Sequence, residues 1–133
     1  MALSLEDIEG YLQKLARRYE RLEDGTLLLS MGGGRPPVAA RVAPPVVVLQ
    51  VGITEGPGDG DAKQVPFFKR LLELNASDLV HAAYGLENGR VVLAAALDLD
   101  HLGVSELEAV LSDIDMALAK HVPELHAMLQ EKA

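Results

Sequence analysis

The stretch LVHAAYGLE-NG-RVVLAAALD, residues 79–98, determines how the rest of the chain is interpreted. Asn88-Gly89 separates two apolar runs, and this dipeptide favours a type I′ turn between two antiparallel strands. A two-residue turn fixes the register, so that alternate residues of both runs point to the same side. The sequence therefore predicts a β-hairpin that pairs Leu79–Glu87 with Arg90–Asp98.

The two faces of this hairpin differ in the size of their side chains. One face is large and apolar, which is typical of a core: it carries Val80, Ala82, Tyr84, Leu86, Val91, Leu93, Ala95 and Leu97. The other face is small, with His81, Ala83, Gly85, Val92, Ala94 and Ala96. A sheet surface that faces water normally carries charged or hydroxyl side chains. We therefore expect the small face to be covered, either by a second copy or partner protein or by one of the chain's own helices.

Further helices and strands are predicted on both sides of the hairpin. An apolar stripe indicates a first helix over residues 4–22, begun by a capping box of Ser4 and Asp7. A short helix is predicted over residues 65–75, and a last helix follows a Ser105 cap and is interrupted by Pro123. The remaining apolar runs predict strands at Thr26–Met31, Val38–Ala43 and Val46–Ile53.

The resulting order is α-β-β-β-α-β-β-α, with helices at both ends of the chain. This order favours the α+β class, in which an antiparallel sheet is packed with helices. A length of 133 residues fits a single domain that spans residues 1–133.

The short predicted helix is the second candidate contact surface. Its apolar residues, which include Phe67, Phe68 and Leu71, lie nearly all the way round the helix. A helix of this kind is either buried or part of an interface. We therefore group these three residues with the small hairpin face as a hypothetical partner or dimer interface.

Composition limits the classes of function. The chain has no cysteine, which excludes disulfides and thiol nucleophiles and fits a reducing compartment such as the cytoplasm. A net charge of −8 repels phosphate, so no nucleic-acid partner is expected. No apolar run approaches the roughly 20 residues that span a bilayer, so no membrane partner is expected either.

No motif in the chain predicts catalysis, a cofactor or a metal site. Gly32-Gly33-Gly34 is followed by Arg-Pro-Pro and lacks the Gly-Lys-Ser/Thr of a phosphate loop. Asp98 and Asp100 resemble the opening of a calcium loop, but the position of the bidentate glutamate is occupied by Ala109. The sequence therefore predicts no catalytic, cofactor-binding or metal-binding residues.

Three stretches resemble the YbjN-like family, which is related in fold to the class I type III secretion chaperones such as the Tir chaperone. They are Leu71–Ala76, the hairpin segment Ala83–Leu93, and Leu99–Leu111 at the entry to the last helix. The resemblance implies a compact α+β protomer that commonly forms homodimers and has no enzymatic activity. In the secretion chaperones, an unfolded segment of an effector wraps round the dimer.

Two hypotheses from different classes follow, and the strongly apolar short helix leaves open a third, a structural subunit of a larger assembly. The first is a homodimeric protein-binding module that also holds an extended segment of a partner, for example by addition to an edge strand. The alternative is a small-ligand binding or minor enzymatic domain, with a pocket near His81 and Tyr84.

Overall fold

The helices and strands of the computed structural model, which describes residues 3–130, confirm the α+β class. Within those residues the elements are α1 Leu5–Lys14, β1 Tyr19–Arg21, β2 Leu27–Leu29, β3 Val38–Ala43, β4 Val46–Glu55, α2 Gln64–Ser77, β5 Ala83–Glu87, β6 Arg90–Asp98 and α3 Val104–Gln130. The order agrees with the predicted one except that β1 is an additional short strand. The capping box at the start of α1 is also present, with Asp7 N–H bonded to the Ser4 hydroxyl.

The strands form one antiparallel sheet in the order β1-β2-β3-β4-β6-β5. Strand β4 lies in the middle and pairs with β3 on one side and with β6 on the other. The hairpin of β5 and β6 has the predicted turn, because Asn88 and Gly89 have φ values of 52° and 79°. The strongest signal in the sequence is therefore confirmed.

The hydrophobic core lies on one face of the sheet. Alternate residues of β4 point into it, namely Val47, Leu49, Val51 and Ile53. All three helices described in residues 3–130 contribute to this same core, as shown by the buried Leu12, Phe67 and Leu111. The helices therefore cover one face of the sheet and leave the opposite face to solvent.

The first helix is shorter than its apolar stripe predicts. It ends at Lys14 rather than continuing to residue 22, because Ala16 adopts a left-handed conformation with φ 56°. The N–H of Ala16 donates to the carbonyl of Gln13 at 3.1 Å, and the N–H of Arg17 donates to the carbonyl of Leu12 at 2.9 Å. This is a Schellman motif, which usually has glycine at the left-handed position.

Strand β1 replaces the end of the predicted helix. Tyr19 and Arg21 still face α1, because the Tyr19 hydroxyl and the Arg21 guanidinium both donate to Glu9, at 3.1 and 3.0 Å. A bidentate contact of Arg17 with Asp115 fastens the preceding turn to α3.

The last helix continues through Pro123, which corrects the predicted interruption. Proline removes the N–H that would bond to the carbonyl of residue 119. The second half of the helix is nevertheless held in place, because Leu125 is fully buried. The Lys63 ammonium also donates to the carbonyl of Leu129 at 2.7 Å. The helix begins at Val104, so that Ser105 lies inside it, and the Glu106 carboxylate accepts from Gly103 N–H at 2.8 Å.

The left-handed alanine gives a prediction about stability. Replacing Ala16 with glycine should raise the free energy of unfolding by about 1 kcal/mol, because glycine adopts φ > 0 without the Cβ clash. The reverse exchange, Gly89→Ala, should lower it by about 1 kcal/mol, since Gly89 has φ 79° and a Cβ there would meet no other atom within 4 Å. Urea denaturation of both variants measures the two changes, and changes of the same sign would contradict the assignment of left-handed strain.

Candidate functional site

The small face of the hairpin is open in the single chain. Ala83, Gly85 and Ala96 are exposed and Ala94 is half-buried, whereas Val92 is buried between its neighbours in the sheet. Within residues 3–130 the helices pack against the opposite face, so none of them covers this one. The sequence leaves open whether another protein or the chain's own helices cover this face. The helices of residues 3–130 do not cover it.

His81 does not belong to the hairpin face to which its spacing assigns it. Strand β5 begins only at Ala83, and the preceding residues form the connection from α2. The Asp113 carboxylate accepts hydrogen bonds from the backbone N–H groups of Val80, His81 and Ala82, at 3.2, 2.9 and 2.9 Å. These bonds fix the path of the connection. His81 is consequently exposed outside the sheet, and Val80, predicted for the core, is 80% exposed.

The helix α2 buries one side in the core and exposes another to solvent. Phe67 is buried in the core of the protomer at 1% exposure, which corrects its assignment to an interface, whereas Leu71 is 5% exposed and also lines a cavity at the surface. Phe68 is half-buried. The helix needs its apolar residues on more than one side because it packs against both α3 and β5.

A strip of apolar side chains remains exposed where α2 runs beside β5. Val65 and Leu72 are 77% and 69% exposed and lie on the same side of the helix as Phe68, at spacings of three and four. Leu86 of β5 is 50% exposed and completes what we call the α2–β5 strip: Val65, Phe68, Leu72 and Leu86. Large apolar side chains that cluster on a surface indicate an interaction site.

A mainly apolar cavity of about 280 Å³ lies in this strip. Its lining includes Phe68, Leu71 and Leu72 of α2 together with Tyr84 and Leu86 of β5. His81 does not line it. The structure therefore does not bring His81 and Tyr84 together as the ligand-pocket alternative requires.

Tyr84 belongs instead to a buried polar contact between three elements. Its hydroxyl lies 2.9 Å from Nδ1 of His121 on α3, and Nε2 of the same ring lies 2.9 Å from the Asp78 carboxylate at the end of α2. His121 is only 2% exposed, so each of its ring nitrogens needs a partner. The contact therefore holds α2, β5 and α3 together at one point.

The protonation of these groups follows from their surroundings. Burial raises the pKa of Tyr84, and the charges of Glu124, Asp113 and Asp78 raise it further, so the hydroxyl keeps its proton and donates to Nδ1. The His121 hydrogen bond, with a smaller contribution from Ser77, lowers the pKa of Asp78 below its ordinary value of 3.8. An imidazole with its proton on Nε2 satisfies all three groups.

The free edge of β5 is occupied by side chains of the protein itself. The Asn75 side chain accepts from the N–H of Tyr84 at 2.7 Å and donates to its carbonyl at 3.2 Å. The N–H of Ala82 is taken by Asp113. Because these backbone groups are already bonded, a partner strand cannot pair with them, and strand addition is blocked at this part of the edge.

The described residues hold no grouping suited to a metal ion. No cluster of three or more His, Asp or Glu side chains with the spacing of metal ligands occurs among residues 3–130.

No helix among residues 3–130 is both long enough and apolar enough to cross a bilayer.

Comparison with known proteins decides the family. The family model CesT_Tir_1 matches residues 1–131. The chain belongs to the CesT_Tir_1 family. This is a family of type III chaperones, and its membership supports a protein-binding fold for this chain. Comparison with curated protein sequences gives no match.

Solved structures with the same fold include both groups suggested by the sequence resemblance. YbjN of E. coli has a TM-score of 0.72 at 14% identity, with 97% of this chain and 95% of that chain covered. A chain of the ExoU–SpcU complex from the type III secretion system of Pseudomonas aeruginosa has a TM-score of 0.68 at 20% identity, with 87% and 95% covered. The Yersinia pestis type III secretion chaperone SycH, in complex with a fragment of YscM2, has a TM-score of 0.59 at 15% identity, with 92% and 99% covered. At these identities the likeness establishes the fold alone.

The buried contact predicts an effect of removing the Tyr84 hydroxyl. Tyr84→Phe should lower the free energy of unfolding by about 1–3 kcal/mol, because Nδ1 of His121 loses its partner in a buried position. Tyr19→Phe is the matched control and should cost less than about 1 kcal/mol, since water can replace its hydroxyl at the more exposed Gln13 and Glu9. Equal losses in urea denaturation would contradict the role of the buried contact.

The lowered pKa of Asp78 predicts a dependence of stability on pH. The folded state holds this carboxylate charged, so its contribution is complete at neutral pH and disappears as the pH falls through the folded pKa, below about pH 4. Asp78→Asn should therefore be less stable than the wild type at pH 7, and the difference should shrink on acidification. Asp100→Asn changes an exposed carboxylate and should keep the wild-type acid dependence. The prediction fails if Asp78→Asn and the wild type differ by the same amount at pH 7 and pH 3.

Proposed function

We propose that this chain is a non-enzymatic protein-binding module of the cytoplasm that forms a homodimer and holds an extended segment of a partner protein. The observation that carries the proposal is the one-sided packing of the sheet. One face is covered by the helices, and the other presents Ala83, Gly85, Ala94 and Ala96 to solvent. Small side chains allow another backbone to approach closely, and an apolar sheet surface gains free energy when it is covered.

The α2–β5 strip is the proposed contact with a second copy. Its side chains lie on a helix and on the neighbouring strand, whose positions are fixed by the His121 contact and by Asn75. A self-complementary contact needs the same rigid patch on both copies, which this strip supplies. The resemblance to the secretion chaperones, which commonly form homodimers, supports the same assignment.

The open sheet face is the proposed site for the partner segment. Part of the β5 edge is blocked by Asn75 and Asp113, so the face offers more accessible surface than that edge does. The chaperone SycH was solved in complex with a fragment of YscM2, and ExoU–SpcU is a heterodimeric complex from a type III secretion system. Membership of the same family supports a partner protein for this chain too.

The contact with a second copy gives a direct prediction. The wild type should be a dimer at micromolar concentration, and Leu72→Glu should make it a monomer, because the change places a charge in the centre of the α2–β5 strip. Val80→Glu is the matched control, since Val80 is 80% exposed but lies outside the strip. It should leave the dimer intact.

Light scattering over a concentration series measures the mass of each form. A Leu72→Glu variant that stays dimeric would place the interface elsewhere. A wild type that is monomeric at all concentrations would refute the homodimer, while binding of a partner segment would still be open to its own test.

A further inference from the structure

The open face of the sheet is a shallow groove rather than a flat surface. It contains a cavity of about 480 Å³, on the side of the sheet opposite the helices. Side chains from three neighbouring strands form its floor: Ala39 of β3, Val48 of β4 and Val92 of β6. These side chains are small or β-branched, and Gln50 of β4 lies among them, so the floor combines apolar side chains with one amide close to the backbone of the sheet.

Two arginines line the groove from opposite sides. Arg41 of β3 is exposed and makes no ion pair with the carboxylates of residues 3–130. Arg90 of β6 makes one, with Glu55 at 3.2 Å, in which both side chains are exposed and the contact is therefore weak. Both guanidinium groups are thus available to another acidic group.

Gly52 allows Arg90 to lie over the central strand. A Cβ at this position would come within 3.0 Å of the Nε and 3.1 Å of the Nη2 of Arg90. The absence of a side chain on Gly52 therefore lets the guanidinium project across β4 into the groove. Arg41 stands opposite Val48, four residues earlier on β4, which corresponds to about 13 Å along an extended strand.

The linings of two cavities on this face carry a small excess of positive charge, although the protein as a whole is acidic. A second cavity of about 430 Å³ shares Pro37 with the groove and is lined by Arg18 and Arg35. The two cavities thus contain four arginines and only two acidic residues, Glu20 and Glu87, in a chain with a net charge of −8. A local excess of arginine on an acidic protein, partly offset by Glu55 at Arg90, attracts acidic ligands of limited size.

From this charge distribution, and building on the proposed partner-binding function, we infer that the groove binds an extended acidic segment of a partner protein. Two carboxylates of the segment, about four residues apart, pair with Arg41 and Arg90. The apolar side chains between them lie on Ala39, Val48 and Val92. A nucleic acid fits the groove less well, because its long phosphate backbone would also meet the acidic remainder of the protein.

A random peptide library displayed on phage tests the chemistry of the occupant. Wild-type protein should enrich peptides that combine acidic and apolar residues. The strongest peptide, synthesised with a fluorescent label, should bind about tenfold more weakly to the Arg41→Ala/Arg90→Ala variant in anisotropy measurements. Lys14→Ala/Lys69→Ala removes the same charge from exposed positions on the helices and should change the affinity less than about twofold.

A charge reversal provides the second measurement. Arg41→Glu/Arg90→Glu should enrich basic instead of acidic peptides from the same library, because the groove then repels carboxylates. Circular dichroism melting verifies that each variant is folded, which is expected because both arginines are exposed.

Each other outcome overturns a distinct statement. Peptides without acidic enrichment that bind the wild type and the double arginine variant equally would refute the acidic segment and leave the protein-binding function standing. No enriched peptide at all would count against the protein-binding function itself. A dimer that Arg41→Ala/Arg90→Ala converts to a monomer would assign the groove to a second copy. Tight binding of an oligonucleotide at physiological salt, lost in the same variant, would assign it to nucleic acid.

Discussion

The pairing of β4 with β6 is the constraint from which the rest of the molecule follows. These two strands are paired from Val46 with Asp98 to Glu55 with Arg90. Side chains alternate along a strand, so placing Val47, Leu49 and their successors in the core places the residues between them on the other side. The core and the open face are therefore two consequences of this register, which shifts by one residue at a bulge between Gly52 and Thr54. A shift by one residue would exchange them and leave the helices without an apolar surface.

Polar side chains from the helices determine where β5 lies. His121 of α3 bonds to the Tyr84 hydroxyl, Asn75 of α2 bonds to the Tyr84 backbone, and Asp113 of α3 holds the N–H groups just before the strand. Buried polar groups of this kind are costly when unpaired, so they favour one arrangement over others. The surface formed by α2 and β5 is thereby presented in a defined geometry, as recognition by a rigid partner requires.

The sequence alone predicts most of the fold and less of the site. Period-two alternation and the Asn88-Gly89 turn are local signals, and they correctly predict the hairpin and strands β3 and β4. The end of α1 is missed because alanine, which carries no turn signal, occupies the left-handed position at residue 16. The continuation of α3 past Pro123 depends on tertiary contacts of its second half, which no local pattern reports.

The site was predicted least well where burial decides the outcome. The spacing of apolar residues shows that α2 is apolar nearly all round but not which side faces the core, so the interface candidates include the buried Phe67 and Leu71 and not the exposed Leu72. His121 could have been found, because it continues the apolar stripe of Ile114 and Leu118. Its partners Tyr84 and Asp78 come from distant positions in the chain, and only the folded structure brings them together.

Asn75 has a further consequence for the protein at high concentration. A strand at the border of a sheet is a template for endless polymerisation, and exposed apolar surface increases that hazard. Because Asn75 and Asp113 use up part of that template, polymerisation by strand pairing is hindered along this part of the β5 edge.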